Sequence, residues 1–201
     1  MKLILSSCDF HEEAPRRVIL EHLPKPIGEC RVLFIPNEHA SPETLRMDKY
    51  FRRLRQKGFS RGNCFVFDHT RAGDFANLAP DVVYISGGNT FQTLQKLRDT
   101  GFDRVITDMV RGGAVYIGGS AGAHIVSADL RHVAAWDALP EGFEEFSGLG
   151  LVEGVFVCHY CPEREDAFNA LKNAGRRVWA LRNEDSIVFE NGEIVYDSSK
   201  E

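Results

Sequence analysis

Gly118-Gly119-Ser120-Ala121-Gly122 has the form G-x-S-x-G. It follows the apolar run Ala114-Val115-Tyr116-Ile117 and leads into a helix, so Ser120 stands at the apex of a sharp strand-to-helix turn. Residues without bulky side chains let strand and helix approach there, and the serine hydroxyl is exposed. The first helical N–H groups aim at the same point, which makes the Ala121 N–H a candidate oxyanion donor. A Gly-rich turn can also serve close packing alone. The strand before and the helix after favour a nucleophile.

A second glycine turn, Ser86-Gly87-Gly88-Asn89-Thr90-Phe91, also follows a strand and opens a helix. In a parallel sheet both turns lie at the carboxyl ends of strands, where open α/β folds place ligands. Gly88 N–H is the candidate for the second oxyanion donor. Asn89 is either a substrate-binding amide or a helix cap. A phosphate-cradling loop is the weaker reading, since neither G-x-G-x-x-G nor a P-loop lysine is present.

A serine needs a neighbouring base to act at neutral pH. Of the seven histidines, His124 is too close in sequence to swing over the Ser120 hydroxyl. His159 ends the strand Val155-Phe156-Val157 on the same sheet edge as Ser120, and is the best base. Asn183-Glu184-Asp185 at the next strand end can all supply an orienting partner by position. The order Ser, His, then acid or amide departs from the α/β-hydrolase order. Cys158-His159-Tyr160-Cys161 allows a metal or redox reading, but no second ligand pair is found and the segment does not open a helix. No metal and no cofactor is expected.

The elements that must position these groups alternate along the chain. Apolar runs at 3–5, 32–35, 64–67, 82–85, 114–117, 155–157 and 178–181 read as strands. Helical patterns cover about Pro15–Leu23, a stretch opened by Ser41 as N-cap and Pro42, Thr90–Arg98, Phe102–Arg111 and Pro162–Asn173. Leu45, Tyr50, Phe51 and Leu54 can share one buried helix face. Residues from about Asp129 to Gly150 are irregular. Ile187-Val188-Phe189 and Ile194-Val195-Tyr196 flank Asn191-Gly192, a favoured hairpin turn. Unbroken apolar strands interleaved with helices predict an α/β fold: a doubly wound, mostly parallel, flavodoxin-like sheet with a C-terminal β-hairpin, in one domain over residues 1–201.

Composition fits that picture. Hydrophobic residues make up 43% of the 201-residue chain and charged residues 26%, as in an ordinary globular protein. The net charge of -5 disfavours a nucleic-acid or anionic-membrane surface. No run approaches the ~18 apolar residues of a membrane span. Five largely unclustered cysteines argue against a disulfide framework and for the cytoplasm.

Taken together, Gly87-Gly88-Asn89-Thr90-Phe91-Gln92, Tyr116-Ile117-Gly118-Gly119-Ser120-Ala121-Gly122-Ala123 and His159-Tyr160 resemble the peptidase E family of serine peptidases, which includes aspartyl dipeptidases and cyanophycinases. That resemblance implies a class I glutamine amidotransferase-like fold with serine in place of the cysteine nucleophile. It implies a triad of Ser120, His159 and an acid. A gap-free match through Asn191-Gly192 puts Asn183 at the acid position, a departure from the family pattern, and a one-residue shift would offer Glu184. Arg164 resembles the arginine with which aspartyl dipeptidases bind the substrate carboxylate; a solvated first-turn residue is the alternative.

The expected activity is hydrolysis of short peptides, including dipeptides with N-terminal Asp, through an acyl-enzyme. The competing readings are a catalytically weak or inactive binding protein on the same scaffold, and a Ser–His esterase or amidase. The expected partner is a small peptide, with no nucleic acid and no membrane. Monomer and homodimer are both open.

Overall fold

The computed structural model describes residues 1–37 and 39–200. Its centre is a seven-stranded sheet in the order β3-β2-β4-β5-β1-β8-β9. The first five are β1 (Lys2–Ser6), β2 (Val32–Ile35), β3 (Cys64–Val66), β4 (Val82–Ile85) and β5 (Val115–Gly119), all parallel. The last two, β8 (Ser186–Glu190) and β9 (Glu193–Asp197), form an antiparallel hairpin on the far side of β1. Asn191 and Gly192 both have positive φ, as the two central residues of its tight turn require.

Pleating explains why the strands are apolar throughout. Leu3, Leu5, Leu33, Ile35, Val83 and Ile85 belong to the core under α4 (Thr90–Asp99), α5 (Phe102–Arg111) and the short α6 (Ala121–Ile125). Ile4, Val32, Phe34, Val82, Tyr84 and Ile117 belong to the core under α1 (Glu13–His22) and α3 (Lys49–Lys57). Successive residues feed opposite faces, and both faces are covered.

Two expectations need correction. Strands β6 (Val155–Cys158) and β7 (Val178–Leu181) do not extend the central sheet; they pair in parallel as a separate two-stranded sheet. The edge of β1 is already taken by β8, so β6 instead packs on α6 and the first core. Phe156 stacks on Trp179 at 5.0 Å, and both rings meet Phe189 of the hairpin edge-on. The helix opened by Ser41 is also broken: α2 (Pro42–Arg46) ends at Met47 before α3 begins. Ser41 and Thr44 form a reciprocal capping box, as the cap chemistry predicts. Tyr50 and Leu54 are buried, with Leu45 and Phe51 packed against the same core.

The last helix, α7 (Glu165–Asn173), follows a single tight turn at Pro162–Arg164. The irregular stretch after α6 contains one short 3₁₀ turn, Arg131–Ala135. Arg98 secures its later part, donating to Glu145 and Ser147. Among the described residues, no helix is long and apolar enough to cross a membrane.

Candidate active site

Ser120 occupies φ 49°, ψ −106° between β5 and α6, a conformation that strains a residue with a Cβ. Its neighbours show why glycine is needed around it. A Cβ on Gly122 would overlap the Ile85 carbonyl, and one on Gly118 would run into the Gly122 carbonyl. Tyr116 donates its hydroxyl proton to that Gly122 carbonyl at 2.7 Å. The Ser120 N–H donates to Ser6 O at 2.9 Å, so the turn hangs from the end of β1.

His159 is brought in from the second sheet. Its Nε2 lies 2.9 Å from Ser120 Oγ, and its Nδ1 lies 2.8 Å from Asn183 Oδ1. An amide oxygen only accepts, so Nδ1 carries the proton and Nε2 presents its lone pair to the serine hydroxyl. Asn183 is exposed in the turn after β7. That turn is closed by buried Asp185, whose carboxylate accepts from the Arg182 N–H at 2.8 Å and from its guanidinium at 2.9 and 3.0 Å. Glu184 points to solvent and pairs with Arg182 at 3.4 Å.

Gly88 and Ala121 both border the serine turn. Gly87, beside Gly88, is so near that a Cβ on it would stand 3.4 Å from Ser120 Cβ. Among the described residues, neither the Gly88 nor the Ala121 N–H donates to a backbone carbonyl in a turn or loop. Asn89 has the geometry of a cap: its Oδ1 accepts from the Gln92 N–H at 2.9 Å, and its Nδ2 donates to Ala138 O at 2.8 Å. Arg164 donates to the Cys158 carbonyl, one residue before His159, and its guanidinium lies 4.5 Å over the Trp136 ring. The structure thus brings Ser120, His159 and Asn183 together, while Asn89 and Arg164 engage the fold itself.

Two groups, Ser7 and Asp9, escaped the sequence reading, and a third, His124, was considered there only as a base. Ser7, just past β1, donates its hydroxyl to Leu181 O at 2.8 Å and accepts the His159 N–H at 2.9 Å, joining the two sheets at their active ends. Asp9 lies buried against Gly119, where a glycine Cβ would overlap its carboxylate, and it accepts from Tyr84 OH at 2.9 Å. Burial raises the Asp9 pKa, opposed by Lys57 at 4.0 Å and by the Tyr84 hydrogen bond. His124, packed behind Ser120, is 4% exposed and its Nε2 has no partner among the described residues. Burial drives its pKa well below 6.5, helped by His132, Arg164 and His159. Ser7 and Asp9 follow the strand beside β5, and that adjacency was their only signal. Among the described residues, three of the four non-glycine residues with positive φ are Asp9, Ser120 and His159, so backbone strain concentrates at this site.

The neighbouring thiol offers no rival chemistry. Cys158 is fully buried, and burial pushes its pKa up to about 12, opposite to the shift of reactive or metal-binding cysteines.

The fold is similar to those of solved peptidase structures. The structure aligns with that of a putative peptidase E protein from Listeria monocytogenes at a TM-score of 0.76 and 23% identity, covering 96% of each chain. It aligns with a peptidase from an acI-B1 actinobacterium at 0.65 and 16% identity, covering 94% of this chain and 83% of the other. The sequence matches peptidase family S51 across residues 2–196, and the chain belongs to that family. An uncharacterized peptidase of Listeria monocytogenes is 31% identical over 121 residues, which are 57% of this chain and 59% of that protein. Peptidase E of Escherichia coli is 42% identical over 84 residues, 41% of this chain and 37% of the relative. The chain therefore spans less than two thirds of the length of these relatives.

Proposed function

We propose that this protein is a serine peptidase that hydrolyses short peptides through Ser120, His159 and Asn183. The reading rests on the 2.9 Å and 2.8 Å contacts that His159 makes to Ser120 and Asn183. Family membership and the fold support it. His159 Nε2 takes the Ser120 proton as Oγ adds to the scissile carbonyl. The imidazolium keeps its Nδ1–H bond to Asn183, and the Gly88 and Ala121 N–H groups receive the oxyanion. The C–N bond breaks as His159 returns the proton to the leaving amine. Water then enters by the same route in reverse, releasing the acyl half and restoring Ser120. Dipeptides with N-terminal Asp are the first candidate substrates, and the cytoplasm is the proposed compartment.

A dipeptide panel with purified wild type and Ser120→Ala tests this. Alanine fits the turn, so the variant should fold with an unchanged melting profile and lose nearly all hydrolysis. Wild-type turnover by Ser120→Ala would refute the nucleophile. A wild type that cleaves no peptide would favour the non-catalytic binding reading, and cleavage of esters alone would favour the esterase.

A further inference from the structure

The strain at Ser120 persists only if its surroundings leave it no way to relax. On the downstream side, the close fit of Gly122 against the Ile85 carbonyl supplies that constraint. On the upstream side stands Gly119, the last residue of β5, which has no side chain of its own to limit rotation. Asp9 takes the space that such a side chain would fill. The three atoms nearest to a Cβ on Gly119 would be Cβ, Cγ and Oδ2 of Asp9, all within 2.9 Å.

Asp9 is itself fixed from several directions. It opens the single turn Asp9–His11 after β1, 2% exposed and at φ 41°. Its N–H donates to Ser6 Oγ at 3.0 Å, and the carbonyl of the same Ser6 accepts the Ser120 N–H. Its Oδ1 accepts from the Phe10 N–H and faces Lys57 Nζ at 4.0 Å, while its Oδ2 accepts from Tyr84 OH at 2.9 Å. Lys57 in turn lies 5.0 Å over the Phe10 ring, and Tyr84 packs edge-on to that ring at 5.5 Å. A neutral side chain could fill this space without the cost of burying a charge. What the carboxylate adds is orientation. With both oxygens held, its plane cannot turn, and its edge stays against Gly119. We propose that Asp9 is a positioning residue for the nucleophile. Acting through Gly119, its clamped carboxylate keeps Ser120 at φ 49°, from which Oγ reaches His159 Nε2 at 2.9 Å. The proposal rests on the serine peptidase reading for its consequence in the reaction, and on packing alone for its effect on Ser120. Asp9 has no part in holding substrate, so its effect belongs in kcat and not in KM.

The test moves the wedge. Asp9→Gly removes it and suits φ 41°. On the best dipeptide of the panel, kcat should fall about 10- to 100-fold, as release of strain of this kind allows, with KM within about twofold of wild type. Fluorophosphonate labelling of Ser120 should slow by the same factor. Asp9→Asn keeps the shape and both bonds, since its amide can accept from the Phe10 N–H and donate to the Tyr84 oxygen; kcat should stay within about threefold of wild type. Gly119→Ala alone should lower the melting temperature and abolish hydrolysis. Combined with Asp9→Gly, its methyl enters the vacated space, and kcat should return to within about fivefold of wild type. General loss of stability would not be repaired in this way. A wild-type kcat in Asp9→Gly, a loss confined to KM, or a loss in Asp9→Asn equal to that in Asp9→Gly would overturn the proposal. So would a combined variant that does not fold or is no faster than Asp9→Gly. If Asp9→Gly alone does not fold, the combined variant decides, by returning to within that range or failing to. A crystal structure of Asp9→Gly reads the same claim without catalysis: Ser120 should leave φ 49° and its contact with His159 should lengthen. Ser120 unmoved overturns the proposal. A wild type that neither cleaves peptides nor takes up the label, with Ser120 displaced in the variant, defeats the peptidase reading and supports the positioning role.

Discussion

Asn183→Ala should lower kcat/KM only about 2- to 13-fold, and the small size of that effect follows from the structure. Its Oδ1 accepts one hydrogen bond, 2.8 Å from His159 Nδ1, and the residue is exposed. A neutral hydrogen bond that water can partly replace is worth about 0.5–1.5 kcal/mol, which gives that range. A buried carboxylate at the same position would be worth far more, since replacing one by an amide has cost about 10⁴ in kcat in a Ser–His–Asp enzyme. Glu184→Ala should be nearly silent, because Glu184 faces solvent and its ion pair is with Arg182, not His159. Asn183→Asp adds a negative charge beside His159, favours the imidazolium, and should move the acidic limb of the pH–rate profile upward. The assay is kcat/KM for the three variants on the best dipeptide of the panel, with pH profiles for wild type and Asn183→Asp. A hundredfold loss in Glu184→Ala with none in Asn183→Ala would refute the argument, and so would a loss near 10⁴ in Asn183→Ala.

Three further outcomes follow. Ser7→Ala leaves the half-buried His159 N–H without its acceptor and frees the end of β7; kcat should fall roughly tenfold with KM little changed, and steady-state kinetics checks the split. Gly122→Ala forces a Cβ onto the Ile85 carbonyl; at about 1–3 kcal/mol for overpacking, the melting temperature should drop by roughly 2–12 °C. His124 is a base whose folded pKa is depressed by burial, so below about pH 6.5 the unfolded chain binds a proton that the folded chain refuses, and stability falls as pH falls. Urea titrations should show wild type losing up to about 1.4 kcal/mol per pH unit relative to His124→Asn below pH 6.5, with parallel behaviour above it.

What the sequence disclosed was local. The serine turn is legible because its geometry demands small residues at fixed spacing around Ser120. The hairpin is legible because Asn191-Gly192 suits positive φ at both positions. Asn183 depended on register from that hairpin, and the structure places it against His159. The separate β6–β7 sheet was not legible, because which strand occupies the edge of β1 is decided by a hairpin some thirty residues further along the chain. The break at Met47 was hidden by an apolar spacing that continues through it. Ser7 and Asp9 read as ordinary strand-end polar residues. Their importance comes from the β1–β5 pairing, which sets both beside the serine turn.

The central claim is that Ser120 is a nucleophile activated by His159. Intact-mass and peptide-mass analysis after treatment with a fluorophosphonate tests it most directly. The wild type should gain one adduct, on the peptide containing Ser120, and Ser120→Ala should gain none. His159→Ala should label at least about a hundredfold more slowly, the low end of what a general base contributes. An adduct on another residue, no adduct at all, or a His159→Ala rate equal to wild type would contradict the account.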